Sequence, residues 1–241
     1  MKRHQLPGLL FDQINMVKPY PNKVEPVNKM LDVTAFFPGG KGLWLEDNSN
    51  VFPDILVLGH DFSTVDYYNK MLEAGQSEIN SPTWRAMKKL FSEADLDLNR
   101  CFFSNVYMGL RDTHKMTGVF PGSKDKEFVK RNLEFLKLQI STVKPKVIIT
   151  LGKPASISLS VLSEQLINEW SKGKALSSPN IGLKRNVMID ELGYVCVALE
   201  HPSMRNQNVK RRRYENECGV YTGNEAEIEM LKDALCKELT R

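Results

Sequence analysis

Residues 53–63 read Pro-Asp-Ile-Leu-Val-Leu-Gly-His-Asp-Phe-Ser. Four consecutive apolar residues, Ile55–Leu58, bounded by Pro53-Asp54 and Gly59, predict a short strand covered on both faces, because a half-exposed strand would alternate apolar with polar. Three further runs have the same form: Cys101-Phe102-Phe103 ending at Ser104-Asn105, Val147–Leu151 ending at Gly152, and Tyr194–Leu199 ending at Glu200-His201-Pro202. Between and after them apolar residues recur at helical spacing: Trp84, Met87, Phe91 and Ala94 behind Ser81-Pro82, then Val129, Leu133, Leu136 and Ile140, then Ile228, Leu231, Leu235 and Leu239. A further helix is expected from Pro154 towards Trp170. Strands alternating with helices predict an α/β domain over residues 51–241, three-layer α/β/α with a central, mostly parallel sheet. Val187–Asp190 is expected to pair antiparallel with Tyr194–Leu199 across Glu191-Leu192-Gly193. Residues 1–50, rich in Pro, Gly and Asn, read as an irregular N-terminal arm packed on that domain, with one helix near Val24–Leu31. Phe36–Gly42, FFPGGKG, lacks the spacing and the Gly-Lys-Ser/Thr ending of a phosphate loop and reads as a turn. Residues 112–125 read as a surface loop.

The chain has 241 residues, with 33 Lys plus Arg against 29 Asp plus Glu, a net charge of +4. That balance excludes a wholly basic, histone-like binder but not a nucleic-acid enzyme, for which a local patch matters more than the total. Such a patch exists: Arg205 through Arg213 holds five cations and no acid. Cys101, Cys196, Cys218 and Cys236 are too far apart for a zinc or iron–sulfur ligand set. Free thiols, a reducing compartment, no metal and no cofactor are therefore expected. The basic start lacks the long apolar run of a signal peptide, and no stretch approaches the length of a membrane span. A monomeric, cytoplasmic or nucleoid-associated protein, not secreted and not membrane-bound, is the expectation.

In an open α/β sheet, sites form beyond the carboxyl ends of the strands. Those ends carry Gly59-His60-Asp61-Phe62-Ser63, Asn105, Gly152-Lys153, and His201-Pro202-Ser203-Met204-Arg205-Asn206. An acid, two imidazoles, a carboxamide and an arginine thus meet at one rim. Each also has a plain structural reading: Ser63 with Asp66 as a helix cap, Asn105 closing a strand, His201 as a loop histidine, Lys210–Arg213 as a solvated face.

These motifs resemble the uracil-DNA glycosylase superfamily. Gly59-His60-Asp61-Phe62-Ser63 is similar to the family's first motif, best known as Gly-Gln-Asp-Pro-Tyr. His201-Pro202-Ser203-Met204-Arg205-Asn206 is similar to the His-Pro-Ser-Pro-Arg-Asn of the single-strand-selective monofunctional branch. FFSNVYMGLR resembles the strand ending in a base-reading Asn, here Asn105, and KPKVIITLGKPA, residues 144–155, the family's Pro-Lys-Val-Ile…Leu-Gly segment. The resemblance spans roughly residues 51–215. It departs from the pattern where Phe62 and Ser63 replace Pro and an aromatic or Gly, and where EINSPTW, residues 78–84, replaces a Phe-x-Gly segment. The base-stacking aromatic is then Phe62, or Trp84 as second choice.

The resemblance implies a monofunctional glycosylase acting on uracil-containing DNA, single- or double-stranded. The target base must leave the stack, and bond cleavage places positive charge on the sugar and negative charge on the leaving base. The implied roles are catalytic for His201, donating to uracil O2, and for Asp61, favouring the sugar cation and orienting water. Gly59, His60, Phe62 and Asn105 would form the base pocket, with His60 in the slot of the family's Gln and Asn105 reading N3–H and O4. Ser203 would contact phosphate, Arg205 would fill the gap left by the base, and Lys210, Arg211, Arg212 and Arg213 would grip the backbone. Two alternatives keep the fold: a glycosylase for hypoxanthine, xanthine or a damaged pyrimidine, and a catalytically silent DNA-binding relative. A nucleotide-binding α/β enzyme is disfavoured, since no glycine-rich phosphate loop follows a strand.

Overall fold

The computed structural model describes residues 1–47 and 49–236. Its strands are β1 (Val24–Pro26), β2 (Ile55–Gly59), β3 (Cys101–Asn105), β4 (Gly109–Arg111), β5 (Val147–Leu151), β6 (Leu183–Ile189), β7 (Leu192–Leu199), β8 (Arg213–Asn216) and β9 (Gly219–Thr222). Its α-helices are α1 (Leu6–Asp12), α2 (Val65–Ala74), α3 (Pro82–Glu93), α4 (Lys126–Val143), α5 (Lys153–Ser160), α6 (Glu164–Trp170), α7 (Lys174–Ser177), α8 (Arg205–Asn208) and α9 (Gly223–Cys236).

The central sheet runs β3-β2-β5-β7-β6, the first four strands parallel and β6 antiparallel at the edge. The four apolar runs are its parallel strands. Side chains on a strand point alternately to opposite faces. On β2, Leu56 and Leu58 therefore pack with α4, Leu159 and Trp170, while Ile55 and Val57 pack with α3 and α9. Both faces are covered, giving a three-layer α/β/α fold.

The hairpin between β6 and β7 turns at Asp190 and Glu191, both at positive φ, the geometry that matches the twist of the strands it joins. The pairing is longer than expected, starting at Leu183. The helix expected from Pro154 to Trp170 is two, α5 and α6. Ser160 Oγ donates back to the Ile157 carbonyl at 2.7 Å, a bond that competes with the helical ladder at the break. On α4 the buried residues include Phe128, Asn132, Phe135, Leu136, Gln139 and Ile140. The buried face is thus turned from the stripe read off the sequence, with Val129 and Leu133 only partly covered. Leu239 of the expected terminal stripe lies outside the described residues.

Two expectations for the arm need correction. Val24–Leu31 does not form a helix: Val24–Pro26 is a strand paired antiparallel with Gly109–Arg111, because β4 offers backbone partners that outweigh local preference. Phe36–Gly42 is more than a turn. It lies along the outer edge of β3, with Phe37 N–H donating to Phe103 O at 2.9 Å and Phe103 N–H to Gly42 O at 2.7 Å, covering an otherwise open sheet edge. Upstream, Leu6, Leu10, Ile14 and Val17 are buried in the same cluster as the sheet. Their near-helical spacing was the available signal for α1.

Candidate active site

The parallel register places Gly59 beside Asn105 and Leu151 beside Leu199, so the chain leaves β2, β3, β5 and β7 at one rim. Asn105 is 2% exposed. Its Nδ2 donates to the Phe37 carbonyl at 3.1 Å, which fixes the amide orientation, since a carbonyl can only accept. The second Nδ2 hydrogen and the Oδ1 lone pairs remain for another partner. Gly59 is required here: a Cβ at this position would overlap Asn105 Oδ1, and the Phe36 ring lies against the same spot. Gln139 on α4 supports the strand end from below, accepting from Ser104 Oγ.

His201 follows β7. Ser203 N–H points at its Nδ1 at 3.3 Å and Ser203 Oγ lies at 2.8 Å. A backbone N–H can only donate, so Nδ1 is the acceptor and the proton sits on Nε2. Burial lowers the imidazole pKa below its ordinary value and His60 lowers it further, while the Asp61 charge opposes. His201 is therefore a neutral N–H donor at neutral pH. Gly152, at φ +86°, lets the β5 turn pass close beneath it; a Cβ there would stand 3.0 Å from His201 Cβ. The exposed Ser203 hydroxyl lies against the same nitrogen and helps orient the ring.

Asp61 is held by a residue to which the sequence reading gave no role. Arg111 Nε donates to Oδ1 at 2.6 Å and Nη2 to Oδ2 at 2.9 Å, a two-point pair. His60 Nδ1 is 2.9 Å from Oδ2. Burial pushes the Asp61 pKa up, but the bonds from Arg111 and His60 and their charges outweigh it, and the net shift is downward. With Nδ1–H directed at the carboxylate, the remaining ring nitrogen of His60 is Nε2. Its ring stands edge-on to Tyr107 and Phe120, with centroids 5.0 and 6.2 Å away. Tyr107 and Phe120 stack on one another, and burial with the Asp61 charge pushes the Tyr107 phenol up to about 12. The available signal for Arg111 was a lone cation ending the apolar segment after Asn105.

The aromatic candidates separate. Trp84 is 1% exposed, packed against Phe36, Trp44 and Phe103, and cannot meet a base face to face. Phe62 is partly exposed, with its ring over Gly39 and edge-on to Tyr68.

The basic run divides as well, and this corrects two assignments. Arg205 and Arg212 are 8% and 2% exposed and converge on Glu227 of α9, itself fully buried. Arg205 Nη1 bonds Glu227 Oε2, and Arg212 Nε lies 3.1 Å from Oε1. Arg212 also donates to the carbonyls of Ala175 and Ala198, each at 2.7 Å. Burial lowers both guanidinium pKa values to about 10, so both stay charged at neutral pH. A sealed, paired arginine can neither fill a duplex gap nor reach a phosphate. Glu227 was legible in principle: with Leu231 and Ala234 it shares one helical face. Lys210, Arg211 and Arg213 are exposed. Exposed Lys153, Lys172 and Lys174 adjoin them, since the Lys153 chain lies over Gly173 and Ala175 is bonded to Arg212. Residues 152–163, 170–189 and 201–214 contain no acid, so cations outnumber acids on this flank, with Glu169, paired to Lys184, and Glu200 bordering those stretches.

The family model described as the uracil DNA glycosylase superfamily matches residues 71–221, more than half of the chain. The match takes in Asn105, Arg111 and His201; Gly59-His60-Asp61 lies just ahead of it. Comparison with curated proteins yields no match.

Proposed function

The chain belongs to the uracil DNA glycosylase superfamily, and on that premise we propose that it is a monofunctional glycosylase that hydrolyses the bond between uracil and deoxyribose in DNA. The observation that carries uracil is the Asn105 amide, oriented by Phe37 O so that one acceptor and one donor remain. Uracil presents N3–H beside O4; cytosine presents the reverse. The C1′–N1 bond breaks with its electron pair passing to the base, and charge gathers at O2, where His201 Nε2–H donates. Asp61, anionic, faces the sugar cation. Its Oδ1 keeps a lone pair free of Arg111 and can orient a water. That water adds to C1′ and its proton ends on the base, giving free uracil and an abasic sugar. A carboxylate with a lowered pKa is a weak base, so the role of Asp61 is mainly electrostatic.

DNA lies along the basic flank in this reading. The projecting side chain of the His201 turn is Met204, 44% exposed, and it takes the gap-filling role that buried Arg205 cannot perform.

The deciding measurement is release of uracil from a single-stranded oligonucleotide, repeated with the complementary strand and with hypoxanthine and xanthine. Release of one of those in preference to uracil would replace the proposed substrate; binding without release of any base would make the protein a silent relative. Asn105→Ala is expected to lower kcat/KM for uracil by about 10–100-fold, the cost of one to two buried hydrogen bonds, and to narrow the preference for uracil over cytosine. Neutralising Lys210, Arg211 and Arg213 together is expected to reduce the slope of log binding constant against log salt by about 2–3, close to one counterion per cation. An unchanged slope would return these residues to a solvated face.

A further inference from the structure

We infer that Arg111 is a positioning residue that ties the 112–120 loop to Asp61, so that this carboxylate is aimed at the sugar only while the loop is seated. The inference rests on the glycosylase reading for what Asp61 does, but its geometry stands apart from that reading.

Arg111 is 4% exposed, and all five of its N–H donors are used. Nε and Nη2 hold the two Asp61 oxygens; Nη2 also donates to Gly118 O at 3.0 Å, and Nη1 to Thr117 O and Val119 O, each at 3.4 Å. Three successive carbonyls of one loop and one carboxylate thus share a single cation. Gly118, at φ +93°, adopts a backbone conformation that a side chain would strain. The loop is anchored at its ends, where Asp112 N–H donates to Lys23 O at 3.0 Å and Phe120 is fully buried, but between them it has few other ties: Met116 and Val119 are 55% and 73% exposed, and His114 meets Asp66 at 3.5 Å on the open surface. On the other side, Arg111 N–H donates to Ser63 O at 2.8 Å, so main chain and side chain both grip the segment that carries Asp61. Phe120, at the end of the loop, lies under the guanidinium with 5.6 Å between Cζ and the ring centroid.

The charged and titratable groups facing Asp61 are Arg111, His60, His201 and Tyr107. Without the guanidinium, burial acts on the carboxyl against His60 alone, and the carboxyl titrates at higher pH. The test uses the full chain. For Arg111→Gln, the acid limb of kcat/KM for uracil release is expected to move up by about one pH unit or more, so that the loss against wild type is about tenfold greater below the limb than on the plateau. Arg111→Lys, which keeps the charge and loses the fork, is expected to recover part of that shift. Tryptic cleavage after exposed Lys115 is expected to be several-fold faster in Arg111→Gln than in wild type. An activity loss uniform across pH, with the limb unmoved in both variants, would overturn the inference, as would unchanged cleavage at Lys115. If wild type releases no base, the glycosylase reading fails, while Lys115 cleavage still tests the tie between Arg111 and the loop.

Discussion

Replacing His201 by alanine is expected to lower kcat for uracil release by about 10²–10³-fold, the effect of removing one preorganised donor from a developing anion, with KM little changed. The expectation follows from the proton's location. Ser203 N–H faces Nδ1, leaving Nε2–H as the donor, and burial keeps the ring neutral. Charge on O2 grows only as the bond breaks, so the interaction strengthens in the transition state and appears in kcat. The sign with pH follows. A histidine pKa lowered by burial means that the neutral donor persists below the ordinary histidine range, and the rate should not fall as pH drops through about 6.5, the unperturbed value. Single-turnover rates from pH 5 to 8 check both points; a His201→Ala enzyme with undiminished single-turnover rate would remove His201 from the leaving-group role.

Replacing Glu227 by glutamine is expected to cost about 3–5 kcal/mol of stability, because it leaves two buried guanidinium groups without the carboxylate on which they converge. For a chain of this length that corresponds to a fall in Tm of roughly 6–20 °C. The cluster also holds the site: Glu200 N–H, directly before His201, donates to Glu227 Oε1 at 2.7 Å. Urea or thermal unfolding measures the effect. Lys210→Gln, on the same basic run but exposed, is expected to change stability by no more than about 0.5 kcal/mol. Equal, small effects from the two substitutions would mean that Glu227 and its arginines are not the buried anchor described above.

The contrast between Lys210 and Arg212 marks how far the sequence could be read. Both stand in one run of cations, and nothing in the run itself separates them. Arg212 is internal because Ala175, Ala198 and Glu227 converge on it from three other elements. Asp61 and Arg111 are likewise 50 residues apart, and their pairing depends on β4 lying beside the turn after β2. The strand ends were different. Asn105 and His201 close apolar runs whose burial is a property of the runs themselves, so their place at a common rim followed once the sheet was parallel.

What the sequence by itself determined was the α/β order of elements, the parallel strands and the polar residues at their ends, because apolar runs and helical spacing act within one element. What only the tertiary structure decided was which charges are buried, which imidazole nitrogen carries the proton, and which cations of the basic run stay exposed. Those depend on desolvation and on partners brought from distant parts of the chain, and neither is a local property of the residues concerned.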